Sequence, residues 1–172
     1  MKRNVLIGCL SLLLGIGAVA IPSSAGNAAG HVKSPGIEGT YQLVMRELPD
    51  GSKQRPPDVQ GLMTFTKKDR NFNVYWKDAS GKSFSIASVS TYTLTEKEYR
   101  ETNVYFMVND EIGGKGVTYD LSGMSAASPV TVKGGRIEFQ LPLFGEPHVA
   151  FERNGFTATR KGAFLDHWEK VE

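Results

Sequence analysis

RNFNVYWKDASGKSFSIASVSTYTL, running from Arg70 to Leu94, decides the fold. Phe72, Val74 and Trp76 alternate with Asn71, Asn73 and Tyr75. Strand side chains point to opposite faces in turn, so the two sets lie on opposite sides of one strand. Asp78-Ala79-Ser80-Gly81 supplies a turn into a second run, where Phe84 and Ile86 share a face with Ser88, Ser90 and Tyr92. A packed sandwich prefers an inner face that is apolar throughout. Apolar residues mixed with small hydroxyls and a tyrosine fit a barrel interior that holds a ligand or water. They also fit a strand end that leaves the core.

The same punctuation extends in both directions. Two glycines split VTVKGGRIEF (Val130 to Phe139), and Asn154-Gly155 divides FERNGFTATR. Both read as hairpins, because tight hairpin turns need residues that tolerate positive φ. Strands are expected near 39–47, 60–67, 71–77, 83–94, 98–108, 116–121, 129–133, 135–141, 147–153 and 155–170, the last broken at Gly162. Leu121 to Pro129 is too short and too rich in small residues to form a helix. The expected fold is all-β: a single up-and-down meander barrel of about 8–10 antiparallel strands, since closure removes both sheet edges. A two-sheet sandwich is the structural alternative.

Lys2 and Arg3 precede an apolar run from Val5 to Ile21, and small residues follow it to Gly26. This pattern reads as a secretory signal peptide over residues 1–25, cut after Ala20 or Ala25, and places the protein outside the cell or in the periplasm. Leu6-Ile7-Gly8-Cys9 has the look of a lipobox, but it opens the apolar run where a lipobox closes one. No stable membrane anchor is therefore expected after cleavage. Residues 26–37 read as a flexible lead-in, and 38–172 as one barrel domain, long enough to bury about 70% of its unfolded surface.

The chain carries 20 basic and 18 acidic side chains, and loss of Lys2 and Arg3 would leave the two signs equal. No basic field is present to drive binding to phosphate backbones, so nucleic acid is not an expected partner. Cys9 is the single cysteine. The exported form would have no disulfide, thiolate metal site or cysteine nucleophile.

EGTYQLVMRELPDGSKQRPPDVQGLMTFT (Glu38 to Thr66) resembles the opening of lipocalin-like, calycin-type barrels. In these a Gly-x-aromatic begins the first strand; an Asp-Gly turn, a Pro-containing loop and a Gly-Leu at the second strand follow. RNFNVYWKD, TYTLTEKEY and TATRKGAFLDHWEKVE are similar to segments of uncharacterised secreted bacterial proteins of this kind. Two departures are visible: Tyr41 stands where tryptophan is usual, and the Thr-Asp-Tyr turn is replaced by VTYD at Val117 to Asp120. The resemblance implies a late-strand arginine over the first-strand aromatic, a place Arg160 would fill by stacking on Tyr41. A barrel hosts many functions, so no ligand is inherited from it.

Three histidines are present. His31 falls in the lead-in. His148 has Glu146 two residues before it, and His167 has Glu169 two residues after it. Each pair would share a strand face and offer nitrogen and oxygen to a metal, or an imidazole to haem. Neither supplies the three or four ligands a metal needs, so no metal or cofactor is expected, with His148 and His167 as weak candidates. Gly-x-Ser-x-Gly is absent, and Gly113-Gly114-Lys115-Gly116 lacks the spacing of a phosphate loop. No catalytic residue is assigned and the protein is not read as an enzyme.

A small, partly apolar ligand inside the barrel is the leading reading, with Tyr41, Trp76, Tyr92, Tyr105 and Arg160 as its contacts. Tyrosine and tryptophan offer an apolar body and a polar tip. Two alternatives remain open: a filled barrel acting as an envelope or extracellular protein-interaction module, and a haem, metal or enzymatic barrel using His148 or His167.

Overall fold

A computed structural model describes residues 36–171. Expectations for the signal peptide, for most of the lead-in, and for Cys9 and His31 lie outside these residues. Twelve strands follow in order: β1 (Gly39–Glu47), β2 (Lys53–Gln54), β3 (Val59–Phe65), β4 (Asp69–Lys77), β5 (Ser83–Leu94), β6 (Glu98–Asp110), β7 (Gly116–Asp120), β8 (Ser125–Lys133), β9 (Arg136–Gln140), β10 (His148–Glu152), β11 (Gly155–Arg160) and β12 (Phe164–Lys170). No helix occurs among the described residues.

Ten of these strands close an antiparallel barrel with neighbour-to-neighbour connections, as the alternation and turns of the sequence predict. The seam lies at β1, which pairs with β3 through Tyr41 and Met63 and with β12 through Tyr41 and Lys170. β2 is a short strand on the far half of β1. β7 lies beside the second half of β6, while β8 takes the first half. β7 pairs with no other strand among the described residues, so its outer edge is open.

The hairpins follow the turn chemistry with one shift. Lys133 pairs with Arg136 across Gly134 and Gly135, whose φ values are 60° and 82°, conformations that only glycine adopts freely. The Asn154-Gly155 hairpin turns one residue earlier than expected: Glu152 pairs with Gly155, leaving Arg153 and Asn154 at the tip. β8 begins at Ser125, ahead of the expected residue 129, because Ser125 to Pro129 ladders onto Glu98 to Thr102. Pairing with an existing strand overrides the weak strand propensity of serine and alanine.

Two β-bulges change which side chains face inward. In β1, Leu43 pairs with Trp168 and Met45 with His167, so Val44 is the extra residue. Tyr41 and Leu43 point in, and after the bulge Arg46, at 4% exposure, does so in place of Met45. In β6, Asn103 pairs with Ser90 and Tyr105 with Val89, leaving Val104 extra. Tyr99, Glu101 and Asn103 are inward, and beyond Val104 the inward series becomes Phe106 and Val108. A bulge re-aims every side chain that follows it.

The interior has two tiers. One half is packed with Ile37, Tyr41, Phe65, Tyr92, Tyr99, Phe139, Phe151 and Phe156. Their rings meet edge-on, as in Tyr41–Phe156 at 5.1 Å and Phe65–Phe151 at 5.4 Å, or stacked, as in Tyr99–Phe139 at 4.3 Å. Such contacts add about 0.5–1.5 kcal/mol each beyond the area they bury. The other half is hollow.

Candidate functional site

Trp168 divides the tiers. Its indole stacks on Phe156 at 5.3 Å with the planes 8° apart. Gly61 of β3 lets it lie there, because a Cβ at that position would fall 2.7 Å from Trp168 Cη2. Beyond the indole a cavity of about 670 Å³ extends to the barrel mouth. Its walls are Met63, Phe72, Val74, Trp76, Phe84, Ile86, Phe106, Leu141 and Ala158, with Leu48, Gln54, Lys77, Asp78, Ala79, Arg160 and Ala163 also contributing. Trp76 and Phe84 stack at 4.5 Å across the β4–β5 pair. The volume falls within the range of small-molecule sites, and so does the mix of apolar wall and few polar groups.

One wall is a loop. β9 ends at Gln140 and β10 starts at His148, and Leu141 to Pro147 bring Phe144 and Glu146 to the cavity. Phe144 stacks on Phe106 at 3.9 Å. It does so at φ 52°, a left-handed backbone that costs an aromatic residue of the order of 1 kcal/mol or more and needs a compensating contact.

Two buried ion clusters border the hollow. Arg46 donates from Nε and Nη2 to the two oxygens of Asp166 at 2.6 and 2.8 Å. Its guanidinium lies over Trp76 at 4.6 Å and over Phe164 at 4.3 Å. Burial raises the Asp166 carboxyl above the ordinary carboxylate range, and the hydrogen bonds from Arg46 oppose that rise.

Arg70 of β4 forms the second cluster. Its Nε donates to Glu101 Oε1 at 2.9 Å, and its Nη2 to both oxygens of Glu146 at 2.7 and 2.9 Å. Tyr99 donates to Glu101 Oε2 at 3.1 Å, and Ser90 donates to Oε1. Burial pushes the Glu146 carboxyl up to about 7, with the Glu101 charge adding to the rise and Arg70 opposing it. Burial also drives the Tyr99 hydroxyl far above its usual range.

The residues singled out from the sequence separate into three groups. Trp76 and Arg160 line the cavity, Arg160 as an exposed side chain at its mouth. Tyr41 and Tyr92 belong to the packed tier, where their hydroxyls donate to the carbonyls of Ile37, at 2.9 Å, and Thr66. Tyr105 follows the Val104 bulge and stands on the outer wall, 6.1 Å from Tyr119. The cation over Tyr41 is Lys170 Nζ, 5.8 Å from the ring, in the place expected for Arg160. His148 is exposed at the start of β10. His167 Nε2 lies 2.8 Å from Glu47 Oε1, a carboxylate 120 residues away and not the Glu169 of its own strand face. Among the described residues no three His, Cys, Asp or Glu side chains are grouped to hold a metal ion.

Arg46, Asp166, Arg70 and Glu101 are not candidates from sequence, and Glu146 figures there only as the carboxylate beside His148, whereas the structure pairs it with Arg70. The inward alternation of β4 and β5 carried the one available signal, since Arg70 shares the face of Phe72 and pairs with Ser90.

No family model matches the chain, and no curated protein matches it. A solved structure of an uncharacterized protein from Bacteroides eggerthii DSM 20697 is similar at 15% identity, with 78% of this chain and 98% of that chain covered and a TM-score of 0.33.

Proposed function

We propose that the protein is an exported, lipocalin-like carrier that holds a small, partly apolar molecule in the open half of its barrel. The observation that carries this reading is the aromatic-walled cavity of about 670 Å³, backed by a packed tier that gives the barrel stability without filling it. Affinity would come from burying the ligand's apolar surface against Phe72, Trp76, Phe84 and Phe106, at about 25 cal/mol per Å². Arg160 at the mouth and Glu146 inside are among the polar groups that could orient it. The reading is non-enzymatic and gives His148 and His167 no part.

Native mass spectrometry of the gently purified protein tests it, by comparison with the denatured mass. Excess mass that is lost on denaturation, or mass gained from a panel of apolar compounds, is expected. A bare chain that gains nothing from the panel would remove the carrier reading.

A second reading, a surface module for another protein, draws on the outer face beside β6. Val117 and Tyr119 of β7 are 52% and 63% exposed beside its open edge, and Leu121 and Met124 follow at 71% and 45%. Apolar side chains grouped this way suit association. The filled barrel that first accompanied that reading does not fit the hollow tier.

A further inference from the structure

We infer that the cavity takes an amphipathic cation, an amine or quaternary ammonium head seated against Glu146 with its apolar part among Trp76, Phe84 and Phe106. This rests on the carrier reading above and names its ligand class.

The argument is charge balance in an enclosed space. Arg46 and Asp166 neutralise each other in a bidentate pair. Arg70 faces two carboxylates, and the side chains of Arg70, Glu101 and Glu146 are 1%, 0% and 8% exposed. One guanidinium against two carboxylates leaves this cluster one positive charge short. Charges taken out of water need full compensation, so the shortfall must be met by something.

The two acids are not equivalent. Glu101 is closed off by donors from Arg70, Ser90 and Tyr99. Glu146 sits on the cavity wall, in the same loop that stacks Phe144 on Phe106. Burial and the Glu101 charge raise its carboxyl to about 7, so a proton is one way to supply the missing charge near neutral pH. An ammonium head supplies the same charge without the proton, and the adjacent aromatic faces favour it further. A carboxylate head would meet Glu146 as a like charge in a poorly solvated space. Besides Arg70, Glu101 and Tyr99, the charged groups around the cavity are the Arg46–Asp166 pair and, at the mouth, Lys77, Asp78 and Arg160. Exposed groups such as Arg160 are screened by salt and water, so they steer a ligand weakly compared with the enclosed carboxylate.

Cation and proton then compete for one carboxylate. Affinity for a permanent cation should be level above about pH 7 and fall below it by at most about tenfold per pH unit.

The test is displacement of a neutral apolar fluorophore, N-phenyl-1-naphthylamine, by three chain-matched competitors below their micelle concentrations: dodecyltrimethylammonium, dodecanol and dodecanoate. At pH 8 the ammonium should compete at concentrations at least tenfold below dodecanoate. That advantage should shrink at pH 6 in the unmodified protein and lose its pH dependence in Glu146→Gln. Equal or better competition by dodecanoate overturns the inference, as does an ammonium affinity that ignores pH in the unmodified protein, a readout that requires no variant to fold. Binding of the fluorophore with no preference among the three leaves a carrier of another ligand class and also overturns it. A protein that binds neither the fluorophore nor any competitor overturns the carrier reading itself.

Discussion

Arg46 and Asp166 meet directly across the seam that closes the barrel, paired in register between β1 and β12 and joined by two hydrogen bonds of 2.6 and 2.8 Å. Their side chains are 5% and 4% exposed. The contact links residues 120 positions apart, so it forms only once the first and last strands are side by side. It therefore reports closure itself.

Removing one partner should be far worse than removing both. Arg46→Ala leaves a buried, uncompensated carboxylate and should cost about 3–5 kcal/mol. Arg46→Met combined with Asp166→Leu should recover most of that, and urea unfolding of the single and double variants measures the coupling. Equal losses in Arg46→Ala and the double variant would show that the pair does not act as a unit.

Stability should fall as pH rises from about 4.5 to neutrality, through Glu146. Its carboxyl titrates at about 7 in the folded chain against 4.5 for the unperturbed group, so between those values the folded state binds more protons than the unfolded state. Stability therefore decreases with pH across that window, by at most about 3 kcal/mol for this group. Unfolding midpoints measured from pH 4 to 8 should show the decline, and Glu146→Gln should flatten it.

Gly61→Ala should disturb the floor of the cavity. The added Cβ would fall 2.7 Å from Trp168 Cη2 and 3.1 Å from the Asn73 carbonyl, and Phe156 blocks the indole from retreating freely. Overpacking of this kind costs about 1–3 kcal/mol. A lower unfolding midpoint with a shifted tryptophan emission is expected, and unchanged emission would mean that the ring moves without strain.

Trp76 and Tyr41 should separate binding from stability. Trp76→Ala removes a cavity wall and should weaken binding of an apolar probe at least about tenfold, or ~1.4 kcal/mol. Tyr41→Phe removes the donor to the Ile37 carbonyl and should lower stability by about 1 kcal/mol while leaving binding intact. The reverse pattern would mean that the ligand sits in the packed tier.

The alternation in β4 and β5 and the glycine-rich turns are local signals, and they carried the barrel: most strand positions, the antiparallel connections and the inward face of Trp76 were legible, whereas the two-residue β2 and the early start of β8 were not. The polar clusters were not. Val44 and Val104 have no feature that marks them as bulges, since each is an ordinary strand former. Each bulge shifts the inward series by one residue, which turns Tyr105 out, Phe106 in and Arg46 in. Glu146 lies in a loop between two short strands, a setting that normally reads as solvated. Only the closed barrel brings Arg70, 76 residues earlier in the chain, to meet it.

The division of the interior at Trp168 separates two kinds of inheritance. Rings such as Tyr99, Phe139 and Phe151 keep the strands together at one end, and none of these three borders the hollow. On the carrier reading proposed above, sequence drift at Phe84 or Phe106, which line the hollow and lie outside the core cluster, would reshape what it accepts while its foundation is passed on unchanged. A carrier lineage built this way would change cargo without first having to reinvent its fold.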